Sequence, residues 1–132
     1  MNIIKLTDKI SVAPQIQPDD MPAIAKAGFK SLICNRPNDE ALGQPPYDSI
    51  ANMAMECGIK PIYQPVIASQ ITKQNIDDFF HNITNEHGPI LAYCRTGTRC
   101  AILWALAEAR HTPLPDLVAI AAKAGYDLTH LL

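Results

Sequence analysis

The chain has no excess of basic residues, no long apolar run and no paired cysteines, and each absence closes off a class of function. Eleven lysines and arginines stand against thirteen acids, a net charge of −2. A protein that tracks phosphates by releasing counterions needs the opposite balance, so nucleic acid is not an expected partner. Apolar stretches such as the one at 102–107 fall far short of the roughly 20 residues that span a bilayer. Residues 1–7 alternate polar and apolar side chains without the apolar core of a secretory signal. No membrane partner and a cytoplasmic location are therefore expected. Cys34, Cys57, Cys94 and Cys100 are dispersed, with no Cys-x-x-Cys pair, which removes a zinc site, a thioredoxin-type motif and a disulfide framework. His81, His87, His111 and His130 lack metal-ligand spacing as well, so neither a metal nor another cofactor is expected.

What the sequence does have is apolar content, 48% of 132 residues, enough to bury the core of one domain spanning 1–132. No repeat or low-complexity tract divides it, and its eleven prolines fall mostly where elements begin or end. Segments 3–6 and 10–13 read as short strands. Pro18-Asp19-Asp20 opens a helix with Met21, Ile24 and Ala25 on one face and Gly28 at its C-terminal cap. Residues 29–34 follow as a buried strand, and 35–46, with three prolines and a glycine, as a long exposed loop. Ile50, Met53, Ala54 and Cys57 recur at i, i+3, i+4, i+7 and predict a helix over 47–57 closed by Gly58. A strand at 59–66 comes next, then a helix from the N-cap Thr72 that buries Ile76, Phe79, Phe80 and Ile83. A strand at 89–93, a glycine-containing loop and an apolar helix through about 110 precede a last helix from Pro115 to Gly125. Tyr93 and Trp104 are read as core. This alternation predicts an α/β three-layer sandwich, a mostly parallel sheet flanked by helices, with ligands at the carboxyl ends of the strands.

At 91–99, Leu-Ala-Tyr-Cys-Arg-Thr-Gly-Thr-Arg, a cysteine stands where a buried strand stops and a helix begins. The first backbone N–H groups of a helix have no intrahelical partner, and the macrodipole adds positive potential, so a thiolate or a bound anion is favoured there. Arg95 and Arg99 add fixed charge, and Gly97 lets the backbone turn its amides inward. Such surroundings pull a thiol pKa from near 8.5 to below neutrality and make Cys94 a nucleophile. The bland alternative, a packed structural cysteine, accounts for neither arginine nor the strand, loop and helix around it.

Residues 93–99 resemble the cysteine loop of protein-tyrosine and dual-specificity phosphatases, and still more that of rhodanese-type sulfurtransferases. Over 3–125, the segments 20–28, 29–37, Gln64-Pro65-Val66 and 93–99 resemble the bacterial phosphatase-like domain of beta-lactamase hydrolase-like proteins. That resemblance implies the fold of the cysteine-dependent protein-tyrosine phosphatases, and some members of the family are described as sulfurtransferases. By the same resemblance Cys94 and Arg99 are the catalytic pair, and Arg95, Thr96, Gly97 and Thr98 cradle the substrate.

Two departures from the phosphatase pattern bear on the chemistry. Phosphatase loops hold five residues between cysteine and arginine, whereas Arg99 follows Cys94 after four. Cys94, Arg95, Gly97 and Arg99 instead match the rhodanese pattern, and a shorter ring suits a persulfide or a small sulfur oxyanion. Phosphatases of this kind also protonate the leaving alkoxide with an aspartic acid on an earlier loop, yet Pro65-Val-Ile-Ala-Ser-Gln70 contains no carboxylate. Asp77 and Asp78 fit the solvated face of a helix. The expected function is therefore a cysteine-dependent transferase that carries sulfane sulfur as a Cys94 persulfide. The alternative is a phosphatase working through a phosphocysteine, and a third reading is a noncatalytic anion-binding module. The expected partner is a small anionic or sulfane-sulfur substrate. Arg36 is placed to bind it, or else to pair with Asp39 or Glu40 within its own loop. Ser69 and Gln70 either face the site or cap the next helix. Cys34 and Cys100 are read as packing, with resolution of an oxidised Cys94 as the alternative.

Overall fold

A computed structural model describes residues 2–132. Five strands form one sheet: β1 (Ile4–Lys5), β2 (Ile10–Ala13), β3 (Ser31–Cys34), β4 (Lys60–Tyr63) and β5 (Ile90–Tyr93). Five helices accompany them: α1 (Met21–Lys26), α2 (Tyr47–Glu56), α3 (Lys73–Asn85), α4 (Thr98–Glu108) and α5 (Leu114–Lys123), with 3-10 turns at Pro18–Asp20 and Thr129–Leu131. The strand order is β1-β2-β5-β3-β4. Only β1 runs antiparallel, so the last strand in sequence is the middle strand of the sheet, with parallel partners β2 and β3 on either side.

Strands covered on both faces should read as continuous apolar runs, and β2, β3 and β5 are buried at every position. Alternation along β5 then sorts its side chains into two cores. Leu91 and Tyr93 join Met21, Ile24, Ile50 and Ala54 under α1 and α2. Ile90, Ala92 and the next residue, Cys94, join Phe79, Ile83, Leu103, Trp104 and Leu117 under α3, α4 and α5. Parity therefore delivers Cys94 to the side of the sheet where α4 starts. That helix buries seven of its eleven residues, which explains an apolar pattern with no polar face.

The expected sandwich and its mostly parallel sheet are present, with differences at the ends of elements. The 59–66 segment keeps strand geometry only over Lys60–Tyr63. Pro65 has no N–H to donate, although Gln64 and Val66 still donate to Cys34 O at 2.9 Å and Asn35 O at 3.0 Å. The first strand shrinks from 3–6 to Ile4–Lys5, the third begins at Ser31 rather than at 29, and the turn at Pro18 is 3-10 before α1 begins. Thr72 caps α3 as the sequence predicts, accepting the Asn75 N–H while the Asn75 side chain accepts from Thr72 N. Among the described residues no helix is long and apolar enough to cross a membrane.

Phe79 is fully buried between α3 and the sheet. Phe79→Ala should lower unfolding free energy by about 3–5 kcal/mol. A urea melt followed by circular dichroism checks this, with an unchanged midpoint as the contrary result.

Candidate active site

The site is built where β5 gives way to α4. Cys94 N–H donates to Ala13 O at 3.3 Å, which fixes the end of β5 against β2. Gly97 then takes φ +91, a left-handed conformation that costs glycine little, and serves as N-cap of α4. That turn brings the free amides of the helix start back over Cys94, and the Gly97 N–H donates to Sγ at 3.1 Å.

The Cys94 thiol is held at a pKa of about 6, below its ordinary value. The first cause is a hydrogen bond from the Cys100 side chain; burial works against it, and the Cys100, Gly97 and Thr96 amides add to it. Cys100, fully buried in the first turn of α4, has its own pKa pushed up by burial and so remains a protonated donor. The thiolate is stabilised first by oriented dipoles rather than by the two arginines that the sequence puts forward.

Arg99, 8% exposed, holds its guanidinium in a clasp. Its Nη1 donates to Val66 O at 2.9 Å, Asn35 O at 3.2 Å and Glu40 Oε2 at 3.1 Å, and its Nη2 donates to Glu40 Oε1 at 3.2 Å. Glu40 Oε1 also accepts from Arg36 Nε at 3.0 Å. One carboxylate thus joins two guanidinium groups, bidentate to one of them. Burial pushes the Glu40 pKa up, but hydrogen bonds from Arg99 and Arg36 outweigh it and keep the group ionised below the usual carboxylate range. Arg99 Nε is buried without a hydrogen-bond partner, the one guanidinium nitrogen that the clasp leaves unused.

A cavity of about 270 Å³ opens over this arrangement. Cys94, Arg95, Thr96, Thr98 and Arg99 line it together with Ala68, Ile71 and Ile102. Gly97 lies buried beneath it. Of the residues singled out from the sequence, Arg36 and Gly97 do not line the cavity. Arg36 is held elsewhere. It is buried, donates to Glu40 and to Gln15 Oε1 at 3.0 Å, and so orders its own loop as its second reading had it. The neighbours Ala68 and Ile71 line the cavity where Ser69 and Gln70 do not, and Asp77 pairs with Arg110 on the far face of α3. A larger hollow of about 520 Å³ lies at the opposite ends of the strands among Lys30, Lys60 and His87, with no cysteine in its lining.

Residues 2–111 match the family of the beta-lactamase hydrolase-like protein, phosphatase-like domain. The chain belongs to that family. A beta-lactamase hydrolase-like protein of Xylella fastidiosa is 32% identical over 108 residues, which are 82% of this chain and 25% of the relative. The chain thus spans about a quarter of the length of the curated relatives it matches. A candidate phosphatase of Neisseria meningitidis, known from a crystal structure, superposes with a TM-score of 0.89 at 36% identity, covering 99% of this chain and 94% of that one. Tk-PTP in its active form shares the fold at a TM-score of 0.77 and 11% identity, over 98% and 89% of the two chains.

Within this phosphatase-like domain, three residues take part at the site in ways that the sequence does not assign to them. Glu40 stood in an exposed loop with no periodicity, and only tertiary folding reveals that Asp39, at φ +65, precedes a carboxylate that reaches back to α4. Tyr126 comes 32 residues after Cys94, and nothing local ties it to the loop. Cys100 carried a usable signal: three residues past the N-cap glycine, its amide is one of the free donors that face the loop.

Iodoacetamide should alkylate Cys94 with a rate midpoint near pH 6. Cys100→Ala removes a donor to a charged sulfur and should raise that midpoint by about one to two units, while Cys100→Ser, which retains a donor, should raise it less. Mass spectrometry assigns the modified cysteine at each pH. An unchanged midpoint in Cys100→Ala would remove Cys100 from the account of the thiolate.

Proposed function

We propose that this domain is a cysteine-dependent phosphatase that hydrolyses phosphomonoesters through a phosphocysteine on Cys94. The observation that carries the reading is a cysteine sulfur that accepts the Gly97 N–H at the start of α4, under a cavity whose wall includes Arg99, with its pKa lowered to about 6. Membership of a phosphatase-like family and the likeness to the Neisseria candidate phosphatase support it.

In the first step the Cys94 sulfur attacks phosphorus, the S–P bond forms and the P–O ester bond breaks. Loop amides and the Arg99 guanidinium oppose the charge that gathers on the equatorial oxygens. Arg99 is already held by Glu40, Asn35 O and Val66 O, so it needs little reorganisation. In the second step water attacks phosphorus, the S–P bond breaks and inorganic phosphate leaves with Cys94 as thiolate again.

The leaving oxygen must take a proton from water, because no carboxylate stands at 65–70 and Glu40 is ionised by its two arginines. Esters of acidic phenols, which depart as anions, are therefore the favoured substrates. The cavity falls below the roughly 300–1,000 Å³ of pockets for drug-sized ligands, which favours a phosphoryl group with a small body. A second reading, transfer of sulfane sulfur through a Cys94 persulfide, rests on the same missing acid and on a loop of four residues between Cys94 and Arg99.

An aryl phosphate with an acidic phenol, assayed beside thiosulfate with cyanide, separates the two. The expected result is aryl phosphate hydrolysis abolished in Cys94→Ser, with little thiosulfate turnover. Thiosulfate turnover without phosphate release would replace this reading with sulfur transfer, and inertness in both assays would leave an anion-binding module. Glu40→Gln should lower kcat/KM for the aryl phosphate by about ten- to a hundredfold, as one charge-assisted hydrogen bond is lost and Arg99 is freed to move.

A further inference from the structure

The Cys94 loop is braced from a side that the proposed chemistry leaves out. After α5 the chain turns at Gly125, φ +95, and Tyr126 N–H donates to Ala121 O at 2.9 Å. This sends the Tyr126 ring, only 9% exposed, down onto the loop. Its hydroxyl donates to Thr96 O in a long bond of 3.4 Å, and a Cβ added at Gly97 would sit 2.2 Å from the hydroxyl oxygen. The same position is 3.4 Å from the carbonyl carbon of Ala13, at the end of β2. Gly97 thus packs without room for a side chain against Tyr126 and the end of β2.

Both ends of the peptide joining residues 96 and 97 make a polar contact. The Thr96 carbonyl and the Gly97 N–H belong to one rigid plane, and across a trans peptide they point in opposite directions. A hydroxyl that holds the carbonyl toward Tyr126 therefore aims the N–H away from it, toward Cys94, where it meets Sγ at 3.1 Å. We propose that Tyr126 is a positioning residue for Cys94: its hydroxyl fixes the plane of the 96–97 peptide and so keeps the Gly97 N–H on the sulfur. Tyr126 lies beyond residues 2–111, the stretch that matches the family, so the assignment comes from this fold alone.

The titratable groups around Cys94 are Cys100 on α4, Cys34 on β3 and Tyr126 itself; Arg95 and Arg99 line the same cavity as fixed charges, and that of Arg99 is met by Glu40. Burial pushes Cys34, Cys100 and Tyr126 upward, so each stays protonated while Cys94 titrates. A change in the Cys94 midpoint therefore reports on its hydrogen bonds.

Tyr126→Phe in the whole chain keeps the ring and removes only the hydroxyl. The midpoint of iodoacetamide alkylation should rise by about half a unit to one unit, the effect of weakening one hydrogen bond to the thiolate. In parallel, the Gly97 amide resonance should titrate with Cys94 in the wild-type chain and lose most of that response in the variant. A lowered melting temperature with an unmoved midpoint would make Tyr126 a packing residue and overturn the proposal. So would a wild-type Gly97 amide that does not respond as Cys94 ionises, a measurement that needs no variant. Neither readout uses a substrate: a protein inactive toward aryl phosphates whose midpoint still shifts would defeat the phosphatase reading and leave the role of Tyr126 standing.

Discussion

The site depends on the unsatisfied start of α4. A helix cannot bond its own first N–H groups, and in most proteins a serine, threonine or aspartate accepts from them. Here Gly97, the N-cap, has no side chain to offer, and the acceptor is a sulfur three residues earlier. The arrangement works in both directions: the amides find a partner, and the partner is favoured as an anion. Parity along β5 and the left-handed turn at Gly97 are the two conditions that bring sulfur and helix start together.

A second constraint concerns charge. Arg36 and Arg99 are both buried, and a buried guanidinium without a counter-ion costs several kcal/mol. Glu40 answers both, and the backbone carbonyls of Asn35 and Val66 take further donors of Arg99. The long 35–46 loop is therefore tied to the site by its own chemistry. Its internal bonds, Gln44 Nε2 to Pro37 O at 2.9 Å and Glu40 N to Gln44 Oε1 at 3.0 Å, hold the segment that carries the carboxylate. The same pairing keeps Glu40 ionised, so the one carboxylate that reaches Arg99 supplies orientation rather than a proton.

Sulfur and phosphoryl transfer ask different things of such a site. A sulfite leaving group needs no proton, and an alkoxide does. The absence of an acid after β4 fits sulfur transfer and also fits a phosphatase restricted to good leaving groups, so loop length and missing acid do not choose between them by themselves. The family and the fold weigh toward phosphate, which reverses the order in which the two were ranked from the sequence.

Much of the architecture was legible because each local signal agreed with the next. The spacing of Phe79 and Ile83 gave the buried face of α3, Thr72 its cap, and the glycines at 28, 58 and 125 the ends of α1, α2 and α5. Cys94 was legible for the same reason: strand, glycine loop and apolar helix are consecutive in the chain. Strand ends were less so, since β4 stops at Tyr63, two residues before Pro65, within the segment 59–66 that reads as one strand. What the sequence determined by itself was the set of elements and the residues of one continuous loop, because periodicity and capping are properties of neighbouring residues. Only the tertiary structure decided that Glu40 clasps Arg99 and that Tyr126 rests on Gly97, contacts across 59 and 29 residues of chain. Such contacts are fixed by how the layers pack around β5, and no spacing within the sequence encodes them.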